Sequence, residues 1–253
     1  MSSPRLGSLL VLTEDGAATG HATIVAIVKR MLQLVVPDYQ THRIGFEPKD
    51  ERAQGAVQGT GWKDETPKHY AELNLALRTI ATKLGREDGF VLFHIDGDRP
   101  WSRRDSSENV AKFETIVVAR VRQLLRGRPG GTPEDAEARL RRLFPIVPFY
   151  SIEAWLFQHT EVAVRLCRER HKGRDSGTFE SWKRDRTAID EVVKPKDSVC
   201  LGSAHNLECA GSGYPAQEVF EAGRSYAICV ERLRACVELN ELLDATAGRK
   251  WGL

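Results

Sequence analysis

The stretch Phe90-Val91-Leu92-Phe93-His94-Ile95-Asp96-Gly97-Asp98-Arg99 constrains the fold more than any other part of the chain. Its first half is of strand length and almost wholly apolar. A strand reads that way when both of its faces are buried, as in a parallel sheet covered by helices. Its second half places two carboxylates one residue apart at the strand's carboxyl end. Gly97 between them permits a sharp turn and a close ligand. Carboxylates so near each other repel unless a cation lies between them, and hard oxygen donors suit Mg²⁺ or Mn²⁺. An acidic turn uses the same residue types, because Asp and Gly are favoured in turns anyway. The spacing alone leaves both readings open.

The preceding residues set this strand in an α/β pattern. Residues 8–13 form a short apolar run, ending in Glu14-Asp15-Gly16, and read as a buried strand and a turn. Apolar residues then recur at helical spacing over 22–36, with Thr19 or Thr23 as the cap and Pro37 beyond the end. Residues 39–46 are a weaker strand. Residues 47–68 are polar and glycine-rich and read as a long surface loop. Gly55, Gly59 and Gly61 lack the following Lys-Ser/Thr of a phosphate-binding loop. Helical spacing returns over 70–84, stopped by Gly85, and over 113–125. The order β-α-β-α-β-α predicts a mainly parallel sheet flanked by helices.

The breaker cluster at 126–133 is the best candidate boundary. Residues 1–128 are read as an α/β core, and residues 129–253 as its completion plus a mainly helical C-terminal region. The second part holds a short charged helix over 133–143 and an extended apolar stretch over 144–151, held extended by two prolines. A helix follows from 152 to about 170. Residues 172–186 are basic, 202–215 form a small-residue loop, and 222–243 form a long final helix.

Composition excludes some classes. No run of 18 apolar residues is present, so no membrane span is expected. The first residues lack the apolar core of a secretion signal. Five cysteines, odd in number and with no C-x-x-C pair, argue against a disulfide scaffold or a zinc knuckle, and for a reducing cytoplasm. The net charge is +2, but its distribution is uneven. Residues 99–128 hold eight Arg/Lys against three Asp/Glu, while 205–245 hold three against seven. A basic middle suits a polyanion such as nucleic acid, and equally suits solvated helix faces.

Three acidic points stand out: Glu14 after the first strand, Asp96 and Asp98 after the later one, and Glu153 in the apolar run Ile152-Glu153-Ala154-Trp155-Leu156-Phe157. In a parallel α/β sheet the carboxyl ends of the strands share one rim, where ligands bind. Glu14 and the Asp96/Asp98 pair can therefore converge. Glu153 faces a partner or a cation if buried, or is a first-turn glutamate favoured by the helix dipole. Carboxylates around Mg²⁺ suit phosphoryl transfer. Arg99, Arg103, Arg104 and Lys112 are candidate phosphate contacts. His94 reads first as a core residue. His21 and His205 have no ligand spacing to support them.

The segment from Leu9 to Gly16, the helix after it, and Phe93-His94-Ile95-Asp96-Gly97-Asp98 together resemble the Toprim catalytic domain of topoisomerases, primases and several nucleases. The run from Ile152 to Phe157 looks like the glutamate-containing motif of the small RloB-like and OLD-like Toprim nucleases of bacterial defence loci. Ala222 to Tyr226 and the helix after it are similar to the closing helix of those proteins. The resemblance covers residues 8–160 well. It implies Glu14 as the acid/base or metal-binding glutamate, Asp96 and Asp98 as metal ligands, and Glu153 as a further acidic site residue. It also implies a Mg²⁺- or Mn²⁺-dependent nuclease, active on DNA or RNA in anti-phage defence. The chain departs from the pattern where Asp15 separates Glu14 from glycine and where the strand ends His94-Ile95-Asp96. Two other readings stand beside it: a non-catalytic Toprim-like subunit docking on a partner ATPase or defence complex, and an unrelated α/β phosphotransferase. No Walker motif is present, so ATP-driven sensing would come from another chain. A homo-oligomer is compatible with all three readings.

Overall fold

The computed structural model describes residues 5–47, 51–58, 61–63 and 67–248. One four-stranded sheet, parallel throughout, runs in the order β2-β1-β3-β4: β1 is Gly7–Thr13, β2 Ile44–Glu47, β3 Gly89–His94 and β4 Leu143–Ile146. The expected α/β class, a parallel sheet flanked by helices with a helical C-terminal part, is the observed one. Among the described residues no helix is long and apolar enough to cross a membrane.

The strands sort their side chains by parity, as a pleated sheet must. Leu9, Val11, Phe90, Leu92, Phe144 and Ile146 enter one core, with helix α1 (Gly20–Val35). Leu10, Leu12, Val91, Phe93 and Leu143 enter the other. That second core is covered by α2 (Glu51–Val57), α3 (Pro67–Leu84), α4 (Glu108–Lys112) with a π-helical turn (Phe113–Val118) leading into α5 (Ala119–Arg126), and α6 (Pro133–Leu140). The helices after β4 close over the first core: α7 (Glu153–Leu156), α8 (Thr160–His171), α9 (Ser176–Arg184), α10 (Asn206–Cys209), α11 (Ala216–Glu221), α12 (Arg224–Arg234) and α13 (Val237–Ala247). The chain leaves β1 toward one face and leaves its neighbour β3 toward the other. The crevice between their carboxyl ends is a topological switch point.

Several local expectations are corrected. Part of the 47–68 loop is helical: α2 and a 3₁₀ turn at Gly61–Lys63 lie inside it. The rest of that stretch at 48–50, 59–60 and 64–66, Gly59 included, lies outside the described residues. A reason for α2 is visible at the end of β1. Strand β2 pairs with β1 only from Gly7 to Leu10. Beyond it, the side-chain amide of Gln54 donates to the Thr13 carbonyl at 2.7 Å and accepts the Thr13 N–H at 3.3 Å. A helix thus supplies the hydrogen bonds of a missing strand neighbour. Thr19 stands at the start of α1 without a capping bond from its side chain, and Thr23 is buried inside the helix.

The helix expected from 152 to 170 is broken between α7 and α8. Arg186 takes the Gln158 carbonyl at 2.6 Å, and the His159 ring meets the Cys209 carbonyl at 2.9 Å. Arg186 there takes a carbonyl that a continuous helix would have bonded internally, and the His159 ring anchors the break to α10. The long final helix divides at Ala235-Cys236, where Cys236 is extended and the Asn240 amide caps the Arg234 carbonyl at 2.7 Å. The 202–215 loop contains α10. The helix expected over 113–125 begins at Glu108, with Ser107 as its cap: the Ser107 hydroxyl accepts the Val110 N–H at 3.2 Å.

Trp155 anchors the glutamate-containing motif. It is fully buried, packs edge-on to Tyr226 at 5.3 Å, and donates its indole N–H to Ser225 at 2.9 Å. Trp155→Ala is expected to cost about 3–5 kcal/mol in urea unfolding. Asp190 is a second stability determinant. It lies in the 3₁₀ turn Arg186–Glu191, buried, with Oδ1 lacking a hydrogen-bond partner. Burial pushes its carboxyl up to about 7 against the pull of Arg224. The folded state therefore holds this proton more tightly than the unfolded chain. That stabilisation is present at pH 4 and is lost as pH rises through about 7. Denaturant titrations should find Asp190→Asn more stable than wild type at pH 8, and the gap should narrow as pH falls and close near pH 4.

Candidate functional site

The site begins with a register. Thr13 and His94, the last residues of β1 and β3, are partners across the sheet. Whatever follows each is therefore delivered to the same spot. Glu14 follows Thr13, and its Oε1 accepts the backbone N–H of Asp96 at 2.5 Å, across 82 positions of sequence. Its Oε2 accepts the Trp62 indole N–H at 3.2 Å and lies 2.9 Å from the Lys63 ammonium. Burial raises the Glu14 pKa, and the charge of Asp96 adds to this. Lys63 and His94 pull it back down.

Asp96 is held from the other side. Its Oδ1 accepts the Ile152 N–H at 3.1 Å, which ties the end of β3 to the segment leading into Glu153. The loop after β3 runs against the chain leaving β4: Gly97 N–H donates to the Pro148 carbonyl and Asp98 N–H to the Tyr150 carbonyl, both at 2.9 Å. The approach is too close for a side chain at 97. A Cβ there would collide with the Phe149 ring. His94 is fully buried beneath this loop. One ring nitrogen shares a 2.8 Å hydrogen bond with Thr13 Oγ1, and the other lies 3.4 Å from Asp96 Oδ1 with no hydrogen bond of its own. Burial works against a charged imidazole, but Asp96, then Glu14 and Asp15, outweigh it and raise the pKa.

Glu14, Asp96 and Glu153 line one cleft of about 450 Å³, together with Lys63, Lys196 and Ser203. Glu153 is a buried member of the wall. Ser151 donates to its Oε2 at 2.6 Å and Asn206 to its Oε1 at 2.9 Å. Asp98 is not on this lining. Its backbone is left-handed (φ 51°), and the Asn109 amide donates both to its Oδ2 and to the Asp96 carbonyl. Burial raises the Asp98 pKa, with Lys63 opposing.

None of the four basic residues picked from sequence lines the cleft. Arg99 donates to the Asp98 carbonyl at 2.7 Å and faces Glu108 at 3.6 Å. Arg104 lies over the Trp101 ring, 4.5 Å from its centroid. Arg103 and Lys112 are exposed. The cations of the cleft are Lys63 and Lys196 instead. Lys63 sits on a turn inside a stretch with no apolar periodicity, and Lys196 in an irregular one, so no sequence pattern marks either. Trp62 beside Lys63 was the one usable signal: a large aromatic in a polar stretch seeks burial.

Among the described residues no three His, Cys, Asp or Glu form a chelating set. Mg²⁺, however, is commonly held by one or two carboxylates and keeps several waters. Glu14 and Asp96 fit that requirement: two oxygen donors at one rim, with a burial and repulsion penalty that a cation relieves. Asp98, committed to Asn109, fits less well. Lys63 now supplies part of the compensating charge.

Comparison with protein-family models, with curated proteins and with solved structures found no match to this chain.

The Lys63 ammonium and a divalent ion would compete for Glu14. Lys63→Met should therefore tighten Mn²⁺ binding several-fold in calorimetric titration. Unchanged or weaker binding would show that the ammonium does not hold the cation's place.

Proposed function

We propose that the chain is a Mg²⁺- or Mn²⁺-dependent nuclease of Toprim-like fold, cleaving phosphodiester bonds of DNA or RNA as a cytoplasmic effector of bacterial anti-phage defence. The observation that carries the reading is the meeting of Glu14 and Asp96 at the switch point of a parallel sheet. Glu14 and Asp96 would hold the ion, which supplies positive charge to polarise the phosphodiester and to acidify a bound water. If Asp96 alone held the ion, Glu14 would instead take or hold a proton, the form that burial favours. Lys63 and Lys196 line the same cleft and would meet phosphate oxygens there. Asn109 and Gly97 position the loop that carries Asp96.

A second reading draws on the Lys63–Glu14 contact. A carboxylate already neutralised by a lysine needs no metal, which favours a non-catalytic subunit docking on a partner ATPase or defence complex.

One experiment separates the two. Purified protein is incubated with plasmid, single-stranded DNA and tRNA in Mg²⁺, Mn²⁺ or EDTA. The nuclease reading expects cleavage that EDTA abolishes, and a loss of about 100-fold or more in Asp96→Asn and Glu14→Gln with circular dichroism unchanged. Cleavage that survives both substitutions, or none on any substrate with either metal, would sink it.

A further inference from the structure

Two thiols that sequence spacing leaves unrelated meet in the C-terminal half. Cys167 lies on α8, and Cys200 lies 33 positions later, in the segment between α9 and α10. Both are buried and their sulfurs are 2.6 Å apart. Non-bonded heavy atoms rest at ~3.5–4.0 Å, whereas bonded sulfurs lie at ~2.05 Å. The packing has thus carried the two sulfurs well inside ordinary contact. Two of the remaining thiols are turned elsewhere: Cys229 toward the Pro145 carbonyl and Cys236 toward the Glu238 carboxylate.

We propose that Cys167 and Cys200 are an oxidation site that closes to an intramolecular disulfide with a small two-electron oxidant of the peroxide class. Cys200 is the entry point, at 9 % exposure against 0 % for Cys167. Its sulfur attacks one oxygen of hydrogen peroxide. The O–O bond breaks, a sulfenic acid forms, and the first water leaves. The sulfur of Cys167 then displaces the sulfenic oxygen, forming the S–S bond and releasing the second water. The two thiols lose two electrons and two protons, and the peroxide takes up both. Burial, with Cys167 and Asp175 adjoining, pushes the Cys200 thiol up to about 12, so the reaction is slow and favours a small neutral oxidant.

The bond would have a structural consequence whatever the acidic cleft does. It would staple α8 to the chain that brings Lys196 and Ser203 to the cleft wall and then enters Asn206, the partner of Glu153. Oxidation would therefore fix that wall in place.

A metal is the competing explanation. His171 and His205 have ring centroids 5.4 Å apart, and they follow the two cysteines as Cys167-x₃-His171 and Cys200-x₄-His205. The described residues hold no assembled chelating set, the buried Nε2 of His171 has no hydrogen-bond partner, and zinc content separates the two readings.

The test uses the full chain, with and without hydrogen peroxide, followed by denaturation, thiol alkylation and non-reducing peptide mapping. Five alkylated cysteines are expected before oxidation and three after. One cross-linked species should join the peptides carrying Cys167 and Cys200, and dithiothreitol should reverse it. The oxidised chain should melt roughly 5–10 °C higher than the reduced one. Cys200→Ser should show neither the link nor the shift. Five alkylatable thiols after peroxide, a sulfinic acid on Cys200 without a link, or a link through other cysteines would overturn the proposal. So would stoichiometric zinc in the purified protein that is lost in Cys200→Ser. The peptide map on wild type stands even if the variant fails to fold, and none of these outcomes depends on nuclease activity.

Discussion

Everything near the cleft depends on holding two carboxylates in one partly buried place. Glu14 and Asp96 repel each other, and burial penalises the charge on Glu14. The fold compensates with hydrogen-bond donors. The Asp96 and Ile152 backbone N–H groups, the Trp62 indole and the Lys63 ammonium all point at these oxygens. The donors come from three separate parts of the chain, so the arrangement exists only when the sheet, the α2–α3 side and the exit from β4 are all in place. Charge-assisted hydrogen bonds of this kind are about twice as strong as neutral ones.

The sheet prepares this meeting through its strand order. Neighbouring parallel strands that send their chains to opposite faces leave an open crevice at their carboxyl ends, because neither following helix covers it. Here β1 and β3 are those neighbours. The short β2 would have left the end of β1 without partners on one side. The Gln54 amide fills that gap and fixes the height at which Glu14 emerges. On the opposite side, Gly97 lets the chain beyond β3 lie against Phe149, and Asn109 fastens that loop to the start of the helical run after it.

The α/β class, the two principal strands and helices α1 and α3 were legible in the sequence because each is a local pattern. The apolar run of β3 and the 3.6-residue repeat of α1 need no knowledge of their partners. Helix α2 was not legible, since its exposed residues are polar and its length is below what periodicity can resolve. The breaks at 157–159 and 235–236 were invisible for a different reason. Arg186 and Asn240 take carbonyls at these breaks, and continuous apolar spacing runs straight through both positions. The basic residues beside Asp98 misled because sequence proximity is not direction: the turn at Asp98 carries Arg99 and Arg104 out of the cleft.

The sequence by itself determined which residues could bear the chemistry. Acidic side chains at strand ends and inside an apolar run are costly, and such departures are visible in one dimension. Only the tertiary structure decided which of them meet. The Thr13–His94 register joins Glu14 to Asp96, the fold of the segment after β4 brings Glu153 to the same wall, and Asn109 draws Asp98 aside. Lys63, Lys196 and the Cys167–Cys200 contact belong wholly to that second level. Long-range pairing is set by packing of whole elements, and no local pattern encodes the identity of a partner dozens of residues away.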